Sequence, residues 1–159
     1  MRLTIAAVGH GRGTPEATLC DDFIGRARAL GRQAGITQIV LEEVAVSKLR
    51  EGRARRVEEA ERLARKIPPG AHVIVLDPRG TNMTSENFAE QLAGLCESAN
   101  RDLVFVIGGP DGLPPDAFGS AQNLAFGAQT WPHLLVRAML CEQIYRGLTI
   151  LCRHPYHRA

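Results

Sequence analysis

Apolar residues follow two rhythms that alternate along the whole chain. Short, nearly unbroken apolar runs occur at Leu3 to Val8, at His72 to Leu76 ("HVIVL") and at Leu103 to Ile107 ("LVFVI"). The segment Ile36 to Val46 is rich in branched residues and alternates in part. Apolar runs of this length, bounded by glycine or proline, read as strands buried on both faces. A further short strand is expected around Leu124 to Phe126.

Between these runs the apolar residues recur every three to four positions, the spacing of one helical face. Thr14 followed by Pro15 supplies an N-cap and a proline in the first turn, opening a helix through Leu19, Phe23, Ile24, Ala27 and Leu30 that stops near Gly35. Val57, Ala60, Ala64 and Ile67 mark a second helix within Arg50 to Ile67, ended by Pro68, Pro69 and Gly70. Phe88, Leu92, Leu95 and Cys96 share a face between Ser85 and Ser98, and a weak helix is expected over Asp116 to Gln122. The longest helix, Leu134 to Leu151, carries Val136, Leu140, Ile144, Leu148 and Leu151 on one stripe and Leu135 and Met139 on a second. One core face requires one stripe, so the surplus points to a homodimer contact.

Strands alternating with helices predict an α/β fold with a mostly parallel sheet covered on both faces. The 159 residues fit one domain, read here as residues 1–159. An apolar fraction of 45% and a charged fraction of 23% exclude a disordered or membrane-spanning class. The run at Leu3 to Val8 is too short for a secretion signal or a membrane helix, so a cytoplasmic location without a membrane partner is expected. Cys20, Cys96, Cys141 and Cys152 form no C-x-x-C pair, which leaves them as small core hydrophobes. A net charge of +2 permits a nucleic-acid partner without requiring one.

Candidate chemistry gathers in loops at strand ends. Gly108, Gly109, Pro110, Asp111 and Gly112 follow a strand, where open α/β sheets place their ligands. The pattern is neither G-x-G-x-x-G nor a Walker sequence, and it opposes phosphate: Pro110 removes a backbone donor and Asp111 adds negative charge. An uncharged or cationic group suits it better, and the sulfonium of S-adenosylmethionine is such a group; a tight turn needing positive φ accounts for the glycines equally well. "LDPRG" (Leu76 to Gly80) and "FGAQTWP" (Phe126 to Pro132) stand at two further strand ends. Three such loops make one pocket more plausible than any of them singly.

Two polar segments remain. Lys48 to Arg56 holds Lys48, Arg50, Arg53, Arg55 and Arg56, a density that can neutralise nucleic-acid phosphates, although Glu58, Glu59 and Glu61 follow and i,i+4 pairing on a solvated helix face explains much of it. The chain ends "HPYHRA": Cys152, His154 and His157 spell C-x-H-x-x-H, but no fourth ligand is in sight and no metal is expected. His154, Tyr156, His157 and Arg158 instead offer imidazoles, a stacking ring and a fixed cation to a pocket, or simply form a solvated tail. His133 and Arg137, one helical turn apart, are placed to face the same site.

"IGGPDGL", "TWPHLLVRAMLCEQIYRGLTI" and the terminal "HPYHR" together resemble the bacterial ribosomal RNA large subunit methyltransferase H family, and the resemblance extends from "LTIAAVG" through "LDPRG" and "SENFAEQL" over essentially the whole chain. It implies a SPOUT-type α/β knot whose C-terminal segment threads a trefoil, working as a homodimer. It also implies transfer of a methyl group from S-adenosylmethionine to N3 of a pseudouridine near helix 69 of 23S ribosomal RNA, on the assembled 70S ribosome. The family's cofactor positions fall on Leu76, Gly108 and on Phe126, Gly127, Ala128, Gln129, Thr130 and Trp131. Its acceptor-side and catalytic groups fall on His133, Arg137, Arg146, His154, Tyr156, His157 and Arg158. The chain departs from the family at "GHGRG" and at Leu134. A ribosome-associated RNA-binding protein without catalysis is the competing reading.

Overall fold

The computed structural model describes residues 1–50, 52–98 and 101–158. Five parallel strands form one sheet: β1 (Arg2–Val8), β2 (Gln38–Val44), β3 (His72–Thr81), β4 (Asp102–Ile107) and β5 (Gln122–Leu124). Their spatial order is β2-β1-β4-β3-β5. β1 sits inside, paired with β2 from Arg2↔Gln38 to Val8↔Val44 and with β4 from Arg2↔Asp102 to Ala7↔Ile107. Both of its neighbours run parallel to it, so it must be apolar on both faces, and Leu3 and Ile5 to Val8 are fully buried.

The period of two sorts the side chains into two cores. Leu3, Ile5 and Ala7 of β1, with Leu103, Phe105 and Ile107 of β4, face helices α1 (Pro15–Gly31), α3 (Ser85–Glu97) and α4 (His133–Leu151). Ala6, Val8, Val104 and Val106 point the other way, onto Ala60 and Leu63 of α2 (Arg53–Ala64) and onto Leu113 and Phe118 of the segment after β4. The parallel sheet covered on both faces is therefore as the apolar pattern predicts.

Boundaries follow local chemistry. Thr14 caps α1, its Oγ1 accepting the Ala17 N–H at 3.2 Å, with Pro15 in the first turn. Past Gly31 the helix tightens into a 3₁₀ turn over Arg32–Ala34, and Gly35, in the left-handed region at φ 84°, ends it. α2 is shorter than the spacing predicts: it begins at Arg53, because Gly52 has a φ of 114° that no helix contains. The helix expected over Asp116 to Gln122 does not form. Asp116 and Gly119 both have positive φ (58° and 59°), so the segment is a chain of turns. The short strand lies over Gln122–Leu124, two residues earlier than expected, because it is Leu124 that pairs with Leu76 and again with Thr81. That double pairing makes Asp77 to Gly80 bulge from β3, with the bare Cα of Gly80 pressed on the β5 backbone.

α4 ends in a Schellman turn: the Arg153 N–H donates to Ile150 O at 3.1 Å and the His154 N–H to Thr149 O at 2.8 Å. Arg153 takes the left-handed position usually held by glycine, at φ 53°. The chain is thereby reversed, and the tail runs back along α4.

Candidate active site

The sheet's order reverses between β1 and β4, and at the carboxyl end of that junction open α/β sheets form a crevice. The cavity found here, of about 680 Å³ and in the size range of small-molecule sites, lies one strand over, where β4 meets β3. Its walls are Leu76 to Pro78 of β3, where the bulge begins, Ile107 to Leu113 from the last residue of β4 into the loop that follows, and Thr130 to His133 with Val136 at the entry to α4. A smaller cleft continues from it between Leu76 to Pro78 and Phe126, Gly127, Gln129, Thr130 and Trp131. Two of the expected strand-end loops and "LDPRG", which is not a loop after a strand but a bulge inside β3 because Leu124 pairs with both Leu76 and Thr81, therefore line adjoining spaces. Of the eight residues expected around a cofactor, Ala128 alone lines neither.

Local bonds fix these walls. Gly127 sits at φ 97° and donates its N–H to Asn82 Oδ1 at 2.7 Å, tying the 126–131 loop to the end of β3. Trp131 Nε1 closes the same loop on Phe126 O at 3.0 Å, leaving the indole 39% exposed at the cavity mouth. Gly109 and Gly112 bridge one another, with the Gly112 N–H donating to Gly109 O at 2.9 Å. A Cβ on Gly108 would come within 2.8 Å of Leu113 and 3.0 Å of the Gly112 carbonyl carbon, so this bend requires glycine there. The result is a pocket of backbone and small or apolar side chains with few charges, suited to an uncharged or cationic nucleoside derivative.

His133 and Arg137, at the start of α4, occupy different places. His133 lines the cavity, and its Nε2 stands 3.2 Å from where a Cβ on Gly9 would be. Burial, reinforced by the Arg137 charge, lowers its pKa from the ordinary histidine value, which keeps the imidazole neutral at neutral pH. Arg137 is 2% exposed and points inward, donating to Val8 O at 2.9 Å, Gly9 O at 2.8 Å and Glu43 Oε1 at 2.5 Å. Glu43 also accepts the Gly11 N–H at 2.9 Å. Burial raises the Glu43 pKa, but Gly11, His10 and Arg137 together outweigh it, and the carboxyl titrates below its usual range. Gly9 and Gly11 of "GHGRG" are thus the seat of a buried arginine. Leu134 faces a separate 220 Å³ hollow with Cys20 and Leu41.

The tail packs on α4 of its own chain. The Tyr156 ring lies 4.7 Å from that of Tyr145 and under the Arg146 guanidinium at 5.0 Å, and its hydroxyl donates to Glu142 Oε1 at 3.1 Å. Arg146 donates to the same oxygen through Nε at 2.9 Å. His157 Nε2 stands 3.2 Å from Glu86 at the start of α3, and His154 Nδ1 accepts the Tyr156 N–H at 3.2 Å. His154 and Arg158 are exposed, and Ala159 lies outside the described residues. Among the described residues lining the 680 Å³ cavity none belongs to the tail. Also among the described residues, no group of three or more His, Cys, Asp or Glu is close enough to hold a metal ion, and no helix is long and apolar enough to cross a membrane.

Sequence reasoning missed the groups behind the glycine loop. Glu58 makes the surface i,i+4 pair expected of a solvated helix, with Arg62 at 2.7 Å. Glu59 turns inward, wholly buried, with Arg55 at 3.5 Å, and Arg55 also faces Asp111 at 3.4 Å. The only signal in the sequence is that Glu59 falls between Arg55 and Leu63 on the face that Ala60 shares.

A family model described as "Predicted SPOUT methyltransferase" matches residues 1–157. A protein of Hyphomonas neptunium named ribosomal RNA large subunit methyltransferase H is 49% identical over all of both chains. Proteins of the same name from Paracoccus denitrificans and Rhodopseudomonas palustris are 46% and 44% identical, over 99% and 100% of each chain. A solved probable methylase family protein from Haemophilus influenzae aligns with 99% of this chain and 70% of its own at 13% identity and a TM-score of 0.47, too distant to add to the argument. Matched nearly end to end by the family model and by relatives at this level of identity, the chain belongs to the SPOUT methyltransferase family.

Proposed function

We propose that this chain transfers the methyl group of S-adenosylmethionine to N3 of a pseudouridine near helix 69 of 23S ribosomal RNA, acting as a cytoplasmic homodimer on the assembled 70S ribosome. The observation that carries the reading is the meeting of the β3 bulge beside Leu76 with two strand-end loops, from Gly108 and Phe126 onward, around adjoining cavities of a chain whose relatives bear a ribosomal RNA methyltransferase name. The walls fit the cofactor: glycine bends that a Cβ would fill, apolar faces for an adenine ring and, among the described residues that line the cavity, no arginine or lysine toward a phosphate. Threading of the C-terminal segment as a trefoil knot belongs to the same reading.

Two copies reconcile the cavity with the tail. α4 starts at the cavity, yet the tail turns back only as far as Glu142 and Tyr145, nine and twelve residues along the helix from His133. At 1.5 Å per residue that leaves roughly 14–18 Å between them, too far for one chain's tail to contact a base held over its own cavity. A second copy packed on the half-buried Leu135 and Met139 brings its tail there. Recognition of an assembled particle also accords with the small net charge, since the enzyme then needs little RNA-binding surface of its own.

When bound, the cofactor supplies an electrophilic methyl group on sulfur. Leu76, Gly108 and the 126–131 loop hold it and exclude water. Pseudouridine N3–H lies between two carbonyls and must lose its proton as N3 attacks. Neutral His133 at the cavity wall has the protonation state of an acceptor, and His154 and His157 of the tail are alternative bases. Arg146 and Arg158 stabilise the developing negative charge while remaining protonated. Holding the reacting atoms about 3 Å apart contributes much of the acceleration.

The test is mass spectrometry of ribosomal RNA after incubation of 70S ribosomes with the protein and methyl-labelled cofactor. One labelled methyl on a pseudouridine of the large-subunit RNA is expected, and its absence from that RNA refutes the reading. Deleting His154 to Ala159 is expected to abolish transfer with cofactor affinity nearly intact; loss of both would make the tail structural.

A further inference from the structure

Behind the glycine loop the fold buries a charge it does not need. Glu59 is 0% exposed; its Oε1 accepts the Ser47 N–H at 3.0 Å and faces Arg55 Nε at 3.5 Å. Its Oε2 has no hydrogen-bond partner among the described residues and lies 2.7 Å from where a Cβ on Gly109 would stand, so it is aimed at the loop that walls the cavity. Arg55 Nη1 faces Asp111 Oδ2 at 3.4 Å, and that oxygen too lacks a hydrogen bond. Two carboxylates around one guanidinium leave one negative charge over. Glutamine in place of Glu59 would hold Ser47 equally well, and burying a charge is costly unless an opposite charge faces it. The Asp77 charge on the cavity wall is cancelled by Arg79 at 2.6 Å, and away from the cavity Glu43 pairs with Arg137 at 2.5 Å. His133, on the cavity wall, registers the Glu59 charge, although burial and Arg137 act on it more strongly.

We propose that the Glu59–Arg55–Asp111 cluster is a charge selector, holding the cationic, methyl-bearing cofactor more tightly than the neutral demethylated product. The inference rests on the cavity being the S-adenosylmethionine pocket. Transfer breaks the sulfur–methyl bond and leaves its electron pair on sulfur, while N3 gains the methyl and gives its proton to the base. One positive charge thereby leaves the sulfur facing the cluster, and the attraction that favoured binding is lost when the product must depart. Glu59 and Arg55 act from behind the loop and Asp111 from the loop itself, on the cavity wall; all three are positioning residues rather than catalytic ones.

Isothermal titration of the full chain with S-adenosylmethionine and, separately, with S-adenosylhomocysteine tests this. Glu59→Gln is expected to weaken the first roughly tenfold, as for a unit charge acting over about 10 Å at an effective dielectric near 20, with the second changed less than about twofold. Asp111→Asn should shift the ratio of the two affinities in the same direction, and Arg55→Gln should shift it the opposite way. Equal loss of both ligands, or an unchanged ratio in all three variants, overturns the proposal by making the cluster merely structural. Should Glu59→Gln melt below the assay temperature, the opposed signs of Asp111→Asn and Arg55→Gln decide the question. A wild-type protein that binds neither ligand refutes the pocket assignment itself, a result distinct from an unchanged ratio.

Discussion

Replacing Arg137 by methionine separates a residue that holds the site from one that reacts in it. The methionine fills most of the arginine's stem volume but leaves the carbonyls of Val8 and Gly9 and the Glu43 carboxylate without their common donor. Removing one partner of a buried, hydrogen-bonded ion pair costs about 3–5 kcal/mol. At roughly 2–4 °C per kcal/mol for a chain of this size, the melting temperature should fall by roughly 6–20 °C. The pH profile supplies a second signature. Glu43 has its pKa depressed in the folded state, so it contributes stability that is present above the unfolded value near 4.3 and is lost as the pH falls through the folded value. Arg137 is one source of that depression, so the acid side of the stability curve below about pH 5 should be shallower in Arg137→Met. Differential scanning calorimetry from pH 3 to 8 measures both. An Arg137→Met protein that melts within about 2 °C of wild type, with an unchanged acid limb and no methyl transfer, would refute the holding role and place Arg137 in the chemistry.

Other outcomes follow from single contacts. Gly80→Ala places a Cβ 2.6 Å from the Asn123 carbonyl carbon; because backbone cannot yield like a side chain, about 1–3 kcal/mol of stability should be lost in urea titration, and cofactor affinity with it, since the bulge walls the cavity. Arg153→Gly relieves a left-handed arginine at the end of α4 and should raise stability by about 0.5–1 kcal/mol, read from the urea midpoint. Tyr156→Phe removes the bond to Glu142 at a cost of about 1 kcal/mol. Burial, together with Glu142, raises the Tyr156 phenol pKa, so its contribution is present below pH 10 and lost as pH rises through the folded value; the phenylalanine variant should show a flatter alkaline limb in its melting profile.

The fold was legible because its strands are buried on both faces and announce themselves as unbroken apolar runs, and because Thr14–Pro15 and Gly35 mark helix ends by local rules. The segment Asp116 to Gln122, expected as a weak helix, was not, since positive φ at Asp116 and Gly119 forbids a helix there and the type of residue 116 does not announce it. The cavity was legible from loop composition: glycine, proline and small residues at two strand ends and in "LDPRG". What escaped was orientation. Arg55 and Glu59 are spaced like a surface pair, and Arg137 like a site residue near His133, and only tertiary packing decides which way a long charged side chain turns.

The position of β1 between β2 and β4 has a cost during synthesis. Its register with β4 begins at Arg2↔Asp102, so a strand buried along nearly its whole length in the finished fold has one hydrogen-bonding edge open until the ribosome has added about a hundred further residues. At 5–20 residues per second that is roughly 5–20 s during which a strand reading "RLTIAAV" is exposed to whatever else can pair with it. The same long-range closure places this chain among slow folders and makes its newborn form a natural client for chaperones that shield apolar strand edges.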